Sequence, residues 1–274
     1  MYLNKRFIFI ILVLSVVIII TPMIKIDYVQ ADESYSLNWS GYVISSYQIG
    51  EKIHSVSGEW IVPNVFANTK TAYSTTWLGV GGYCSDRECK KADHTLIQVG
   101  TDQNVSNGTT YYEVWYELLP DLPKTIDMEI EPGDRMRASI SEVGENLWEI
   151  RVINLAKNQQ FEKTFSYESS ALSAEWIHEA PSTTGDEILP LASFDRVSFD
   201  NISLNGARPN LNRFDPIVMT DHSGQQLVCV SLPDREGDGF NICCGDQDCS
   251  AYNQKIRLSG IWYYLFFDKQ TFFI

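Results

Sequence analysis

The sequence predicts an all-β protein, a sandwich of two packed antiparallel sheets. Three observations carry this. Apolar and polar residues alternate along many short runs, turn signals separate the runs, and no strand–helix–strand rhythm or internal repeat appears. In chain order, Tyr112, Val114, Tyr116 and Leu118 share one face of a strand, with Glu113, Trp115 and Glu117 on the other. Ile126, Met128 and Ile130 alternate with Asp127, Glu129 and Glu131 until Pro132-Gly133-Asp134 turns the chain. Met136, Ala138 and Ile140 continue beyond the turn. Trp148, Ile150 and Val152 alternate with Glu149 and Arg151, and Phe161, Phe165 and Tyr167 share a parity with Lys163.

Composition narrows the function. The 274 residues carry a formal net charge of -14, with 44% hydrophobic and 20% charged residues. That is apolar material enough for a core, which excludes disorder as the main state. The negative balance argues against nucleic acid as a partner, since a binder needs a basic patch to displace counterions. No Lys/Arg-rich run is present to hold an anionic membrane surface.

Residues 1–31 have the layout of a secretory signal peptide: Lys5 and Arg6, an apolar run from Phe7 to Ile20, then Val29-Gln30-Ala31 as a small-residue cleavage site. The expected product is secreted and monomeric, with no stable membrane insertion after cleavage; an uncleaved segment would make it membrane-anchored. Residues 32–245 are expected to form the sandwich, and 246–274 a Cys- and aromatic-rich tail. Within that tail, Ile261 to Phe267 reads as a final buried strand or an exposed aromatic patch. Six cysteines, Cys84, Cys89, Cys229, Cys243, Cys244 and Cys249, fit disulfides outside the cell, with the pairing open. A zinc site from Cys84, Cys89, Cys243 or Cys244, and Cys249 is the competing use. Asn38, Asn104, Asn107 and Asn201 head glycosylation sequons.

No Gly-x-Ser-x-Gly elbow, His-Glu-x-x-His or phosphate loop occurs, and none of His54, His94, His178 and His222 lies in a recognisable nucleophile–base setting. Hydrolytic chemistry would therefore rest on carboxylates. In Leu96-Ile97-Gln98-Val99-Gly100-Thr101-Asp102, read as a strand, Leu96, Gln98, Gly100 and Asp102 share a face, and Gly100 leaves a gap beside Gln98 for another chain. In Ala174-Glu175-Trp176-Ile177-His178-Glu179, an extended chain puts Glu175, Ile177 and Glu179 together; a helical turn is the alternative.

The order of segments adds what spacing cannot. Asn38-Trp39-Ser40-Gly41-Tyr42-Val43, Val56-Ser57-Gly58-Glu59-Trp60 and Thr75-Thr76-Trp77-Leu78-Gly79 precede the glutamine segment. Tyr112 to Glu117, Pro132-Gly133-Asp134, the glutamate segment and Leu191 to Phe199 complete the series. This ordered set, over about residues 36–245, resembles the glutamic endopeptidases, the eqolisins. The resemblance implies a concanavalin A-like sandwich and cleavage of polypeptides in acid without metal or cofactor. It implies Gln98 and Glu175 as the catalytic dyad, Trp77 and Asp102 as residues lining or supporting the site, and Tyr116 as a substrate-cleft residue. Fungal members often carry an acidic residue where this chain has Gly79-Val80-Gly81-Gly82.

Readings from other classes are a carbohydrate-binding sandwich using Trp77, Tyr112 and Trp115 as platforms, a glycosidase pairing two of Glu113, Glu117, Glu175 and Glu179, and a catalytically inactive relative of the peptidases.

Overall fold

The computed structural model describes residues 34–185, 187–245 and 249, with the backbone of 255–258 and 261–264. Its strands are β1 (Ser34–Ser36), β2 (Trp39–Ser45), β3 (Ser55–Ile61), β4 (Thr71–Ala72), β5 (Thr75–Gly81), β6 (Leu96–Ser106), β7 (Thr109–Leu118), β8 (Lys124–Ile126) and β9 (Arg135–Gly144). They continue with β10 (Leu147–Asn154), β11 (Gln159–Ser166), β12 (Ser173–Glu179), β13 (Arg196–Leu204), β14 (Ile217–Met219), β15 (Val228–Val230) and β16 (Phe240–Cys244). One sheet has the order β1-β14-β2-β12-β5-β6-β7-β8, with β4 on β6; the other runs β11-β10-β9-β3-β13-β16-β15. Every ladder in the two sheets is antiparallel except the parallel pairing of β1 with β14.

The predicted sandwich is what forms. The alternating residues of β7, β9 and β10 bury Val114, Tyr116, Met136, Ala138, Ile140, Trp148, Ile150 and Val152 in one continuous core between the sheets. Polar tips of the large aromatics are paired across it: Trp60 Nε1 donates to Thr101 Oγ1 at 3.0 Å, and Trp176 Nε1 donates to the Ser57 carbonyl at 3.0 Å. Such pairing removes the penalty of burying an indole N–H while keeping its apolar area in the core. Gly58 makes room for this contact, since a Cβ there would lie 3.2 Å from the Trp176 ring.

Four readings of the sequence meet the structure here. The alternation over 126–131 yields a ladder only through Ile126; Met128 is buried without one, its N–H bonded to the Ile126 carbonyl. The glutamate segment is a strand, not a helical turn, because β2 and β5 pair with both of its edges. The cysteines form Cys84–Cys89 and Cys243–Cys249 disulfides, which consumes the thiolates a zinc site would need. Asn104 is buried, its side chain bonded to the Ser74 N–H and to Asp102, so that sequon is closed to a glycan. The segment expected to be a signal peptide lies outside the described residues. So does most of the tail, of which Lys255–Leu258 and Ile261–Tyr264 pair as antiparallel strands.

Candidate active site

The first sheet has a second face, turned away from the core, and register assembles the site there. β12, β5, β6 and β7 are consecutive, so the residues of interest fall into lateral rows. Val43, Glu175, Gly79, Gln98 and Glu117 form one row. Gly41, Ile177, Trp77, Gly100 and Trp115 form the next, and Trp39, Glu179, Thr75, Asp102 and Glu113 the third. Gln98 and Glu175 are therefore brought into one row, two strands or about 10 Å of backbone apart. Only Gly79 stands between them.

Gly79 is the residue that sequence reading passed over. A Cβ there would lie 2.9 Å from Leu96 Cδ1 and 2.9 Å from Trp77 Cζ3. Those two side chains lean over the glycine, and Glu175 beside it is fully buried. The signal was available: Gly79 shares the parity of Trp77 in a strand otherwise rich in large residues. Gly100, read as a gap for another chain, has a different role. A Cβ at 100 would come within 2.5 Å of the Thr76 carbonyl and 2.6 Å of Trp77 Cβ, so that space seats the neighbouring strand's Trp77.

Neither oxygen of Glu175 has a hydrogen-bond partner. Burial holds its carboxyl well above the usual range; the Ser173 hydroxyl tempers the rise without closing a hydrogen bond, and the Asp93 charge adds to it. Gln98 is also buried, its Nε2 donating to Glu117 Oε2 at 2.5 Å, while its Oε1 has no partner. Burial raises Glu117 too, against the Gln98 hydrogen bond and with the help of Asp102. Asp102 is pushed up to about 6 by burial, opposed by Thr75, Trp115 and Asn104. Glu179 is pushed up to about 7 by burial, opposed by Trp77 and Trp39. Sequence reading put Glu179 on the face of Glu175 but gave Glu117 no part in the dyad's surroundings; its parity with Trp115 and its pairing with Gln98 place it there.

Trp77 is wholly buried and Trp115 nearly so, so neither offers an exposed indole face to a sugar ring. Tyr112 faces the other way, its hydroxyl accepting from the Val65 N–H. Tyr116 is not brought to the site. Its parity turns it into the core, where it packs against Phe161 and Phe165 at 5.6 and 4.9 Å. His178 likewise faces the core, against Phe194 and Thr76.

A loop carrying the Cys84–Cys89 disulfide borders this face. Gly81 has φ +85, and a Cβ there would meet the Thr95 carbonyl at 2.3 Å, so an acidic side chain at 81 is sterically excluded. Asp93 supplies a carboxylate nearby, accepting from Gly82 N–H at 3.2 Å and from Thr95 N–H at 2.9 Å. Between the loop and β2 lies a cavity of about 190 Å³ lined by Val43, Ser45, Tyr47, Tyr83, Asp86 and Ile217. Among the described residues, the acidic group compact enough to share a metal ion is Asp200, Asp234 and Asp238, which belongs to the second sheet and its loop, with Asp238 already paired to Arg208. No helix among the described residues is long and apolar enough to cross a membrane.

Comparison with known proteins agrees with this architecture. The Peptidase A4 family model matches residues 37–236. Aspergillopepsin-2 of Aspergillus niger is 29% identical over 231 residues, 77% of this chain and 78% of that protein. Scytalidopepsin B of Scytalidium lignicola is 30% identical over 178 residues, 61% of this chain and 63% of that protein. In fold, the chain is similar to scytalido-glutamic peptidase crystallised with a transition-state analog inhibitor, at TM-score 0.61 and 22% identity over 79% of this chain and 100% of that one. Aspergilloglutamic peptidase from Aspergillus niger follows at TM-score 0.53 and 24% identity, over 64% of this chain and 99% of that one.

Proposed function

The chain belongs to the Peptidase A4 family, and from that premise we propose that it is a secreted, acid-active glutamic endopeptidase in which Glu175 and Gln98 cleave polypeptides. The observation that carries this reading is the shared row: a buried carboxyl without a partner and a buried amide with a spare oxygen, facing each other across a glycine.

The chemistry follows from the environments. A carboxyl held above its usual range is protonated in acid, so Glu175 can give its proton to the scissile carbonyl oxygen as water approaches. The resulting carboxylate takes a proton from the attacking water, leaving a tetrahedral carbon bearing two hydroxyls. Glu175 then passes that proton to the amide nitrogen, the C–N bond breaks, and a proton from the nascent acid restores the carboxyl. Gln98 polarises the scissile carbonyl through its amide N–H and steadies the negative charge that builds on that oxygen until the proton from Glu175 reaches it. Trp77 and Asp102 support the site from the adjoining rows, and the cavity beside Val43 is a place for a substrate side chain. A serine or aspartic-dyad mechanism is not needed, so pepstatin should not inhibit.

The test is proteolysis of a denatured protein from pH 2 to 7, with pepstatin and a chelator present, for wild type, Gln98→Ala and Glu175→Ala. Acid cleavage by wild type that falls at least a hundredfold in both variants is expected. No acid cleavage, or full activity in both variants, would overturn the reading.

A further inference from the structure

As it stands, the Gln98 amide is turned the wrong way for the role proposed for it. Its Nε2 is taken by Glu117 Oε2, and the end left without a partner is Oε1. Gln98 has two neighbours in its row, Glu117 on one side and Gly79 on the other. The end turned away from Glu117 is thus the end on the substrate side, and it is an acceptor. An acceptor there can hold the attacking water but cannot stabilise an oxyanion.

The two ends of a primary amide have the same shape. Rotating the amide by half a turn changes which hydrogen bonds it makes and little else. An ionised Glu117 can only accept, so it demands Nε2. A protonated Glu117 keeps an acceptor oxygen and gains one O–H to donate, so it admits Oε1 as a partner, which the ionised form cannot.

Resting on the dyad reading above, we infer that Glu117 is a positioning residue whose protonation turns the Gln98 amide, so that its N–H₂ faces the scissile carbonyl only in acid. The proton on Glu117 is donated to Gln98 Oε1 and is not transferred; no bond to substrate is made or broken by it.

The surroundings of Glu117 favour a proton. From β6 it meets Gln98 and the Asp102 carboxyl, and Glu113 lies on its own strand. From β12 come Glu175 in the same row and Glu179, with which its charge interacts. Tyr167 approaches beyond β11 and is coupled to it electrostatically. On the β8 side, Lys124 pairs with Tyr116 and so belongs to the opposite parity, and its ammonium lies 3.8 Å from Asp121. Burial, with the Asp102 charge, holds the Glu117 carboxyl up against the Gln98 hydrogen bond. Glu175, buried more completely, is raised further. Glu117 is therefore the first of the two to lose its proton as pH rises, and it sets the alkaline limb of activity.

The experiment compares pH profiles of kcat/KM for wild type, Glu117→Gln and Glu113→Gln. Glutamine at 117 offers an N–H₂ and a carbonyl at every pH, so the productive amide population no longer follows pH. One pH unit above the wild-type midpoint, wild type keeps about 9% of its plateau. Glu117→Gln should keep about half of its own plateau or more there, a relative gain of roughly fivefold, while Glu113→Gln, which removes a charge without touching Gln98, should follow wild type. An unmoved limb in Glu117→Gln, or an equal shift in Glu113→Gln, overturns the inference. Should Glu117→Gln fail to fold, the nitrogen-15 side-chain amide signals of Gln98 in wild type, assigned by their loss in Gln98→Ala, provide the readout. They should titrate along the alkaline limb, and pH-invariant signals overturn the inference equally. If wild type shows no acid proteolysis, or Gln98→Ala is fully active, the dyad reading itself falls and takes this one with it. An active, dyad-dependent enzyme with an unmoved limb removes only the role of Glu117.

Discussion

Trp77 and Glu179 are tied across neighbouring strands, the indole Nε1 donating to Glu179 Oε2 at 2.8 Å while Asn38 Nδ2 donates to Oε1 at 3.1 Å. The Trp39 ring meets Trp77 edge-on at 5.1 Å, so the start of β2 is fastened to the centre of the sheet at one carboxyl. Trp77→Phe keeps most of the apolar area and removes the donor. A net loss of about 1 kcal/mol is expected, a Tm lower by about 2–4 °C for a domain of this size. Glu179, losing a contact that draws it down, should rise beyond about 7. Calorimetry and the pH dependence of Tm check both, and an unchanged Tm would show that the tie contributes nothing.

Stability in acid should turn on a residue outside the site. His178 is fully buried, its Nδ1 paired with Thr76 Oγ1 at 2.9 Å, and burial holds it down to about 3. Unfolded, it titrates near 6.5. Its folded value is depressed, so the stability it allows is fully present above about 6.5 and is lost as pH falls toward about 3. At pH 4 that loss is about 3 kcal/mol. Asp102 at about 6 and Glu179 at about 7 have the opposite sign. Their stabilising effect is complete below about pH 4 and is lost as pH rises through those values. Urea unfolding of His178→Gln at pH 4 and pH 7 should show an acid loss smaller than wild type's by about 3 kcal/mol. Equal acid losses would sink the assignment.

Leu96 leans over Gly79, the neighbour of Glu175 in its row. Its Cδ1 lies 2.9 Å from where a Cβ on Gly79 would be, and it packs in the cluster with Trp77 and Ile177. Leu96→Ala should cost about 2–5 kcal/mol of stability and wet the Glu175 carboxyl, drawing it back toward the ordinary range. Covalent labelling of Glu175 by a carboxyl-directed reagent should then be at least several-fold faster than in wild type. Labelling at the wild-type rate would mean that another group forms the cover.

The sheet faces were legible because period-two alternation is a local property. Glu113, Trp115 and Glu117 opposite Val114 and Tyr116 required only the pleat. By the same parity, Tyr116 could have been assigned to the core, since it shares a face with Val114; its place in a motif was a weaker guide than its place in a strand. What the sequence did not reveal is lateral. That Glu175 and Gly79 join the row of Gln98 and Glu117 depends on strand order, because a long loop separates 79 from 98 and several strands separate 117 from 175; Gln98 and Glu117 alone are joined by a short hairpin, turning at Asn107-Gly108. The pairing of Gln98 with Glu117 was within reach of the sequence, since a two-residue Asn107-Gly108 turn fixes that register.

Register also separates two glycines that read alike in sequence. A methyl at Gly100 would press on the Thr76 carbonyl at 2.5 Å, and backbone in the middle of a sheet cannot give way. A methyl at Gly79 would press on Leu96 Cδ1 and Trp77 Cζ3, each at 2.9 Å and each the far end of a side chain, with the Ile97 carbonyl at a tolerable 3.3 Å. Gly100→Ala should therefore lose several kcal/mol, and its insolubility or a collapsed Tm would report it. Gly79→Ala should fold and lose less than Gly100→Ala, because Leu96 Cδ1 can swing away and no backbone atom lies within 3.0 Å, although the buried Trp77 ring gives little. Its methyl would stand in the row between Gln98 and Glu175, where the scissile carbonyl must lie. A misplacement of about 1 Å at a reacting group costs roughly a hundredfold, so kcat/KM should fall by at least that much while the fold persists. A folded Gly79→Ala with wild-type kcat/KM would mean that substrate does not pass between these two residues.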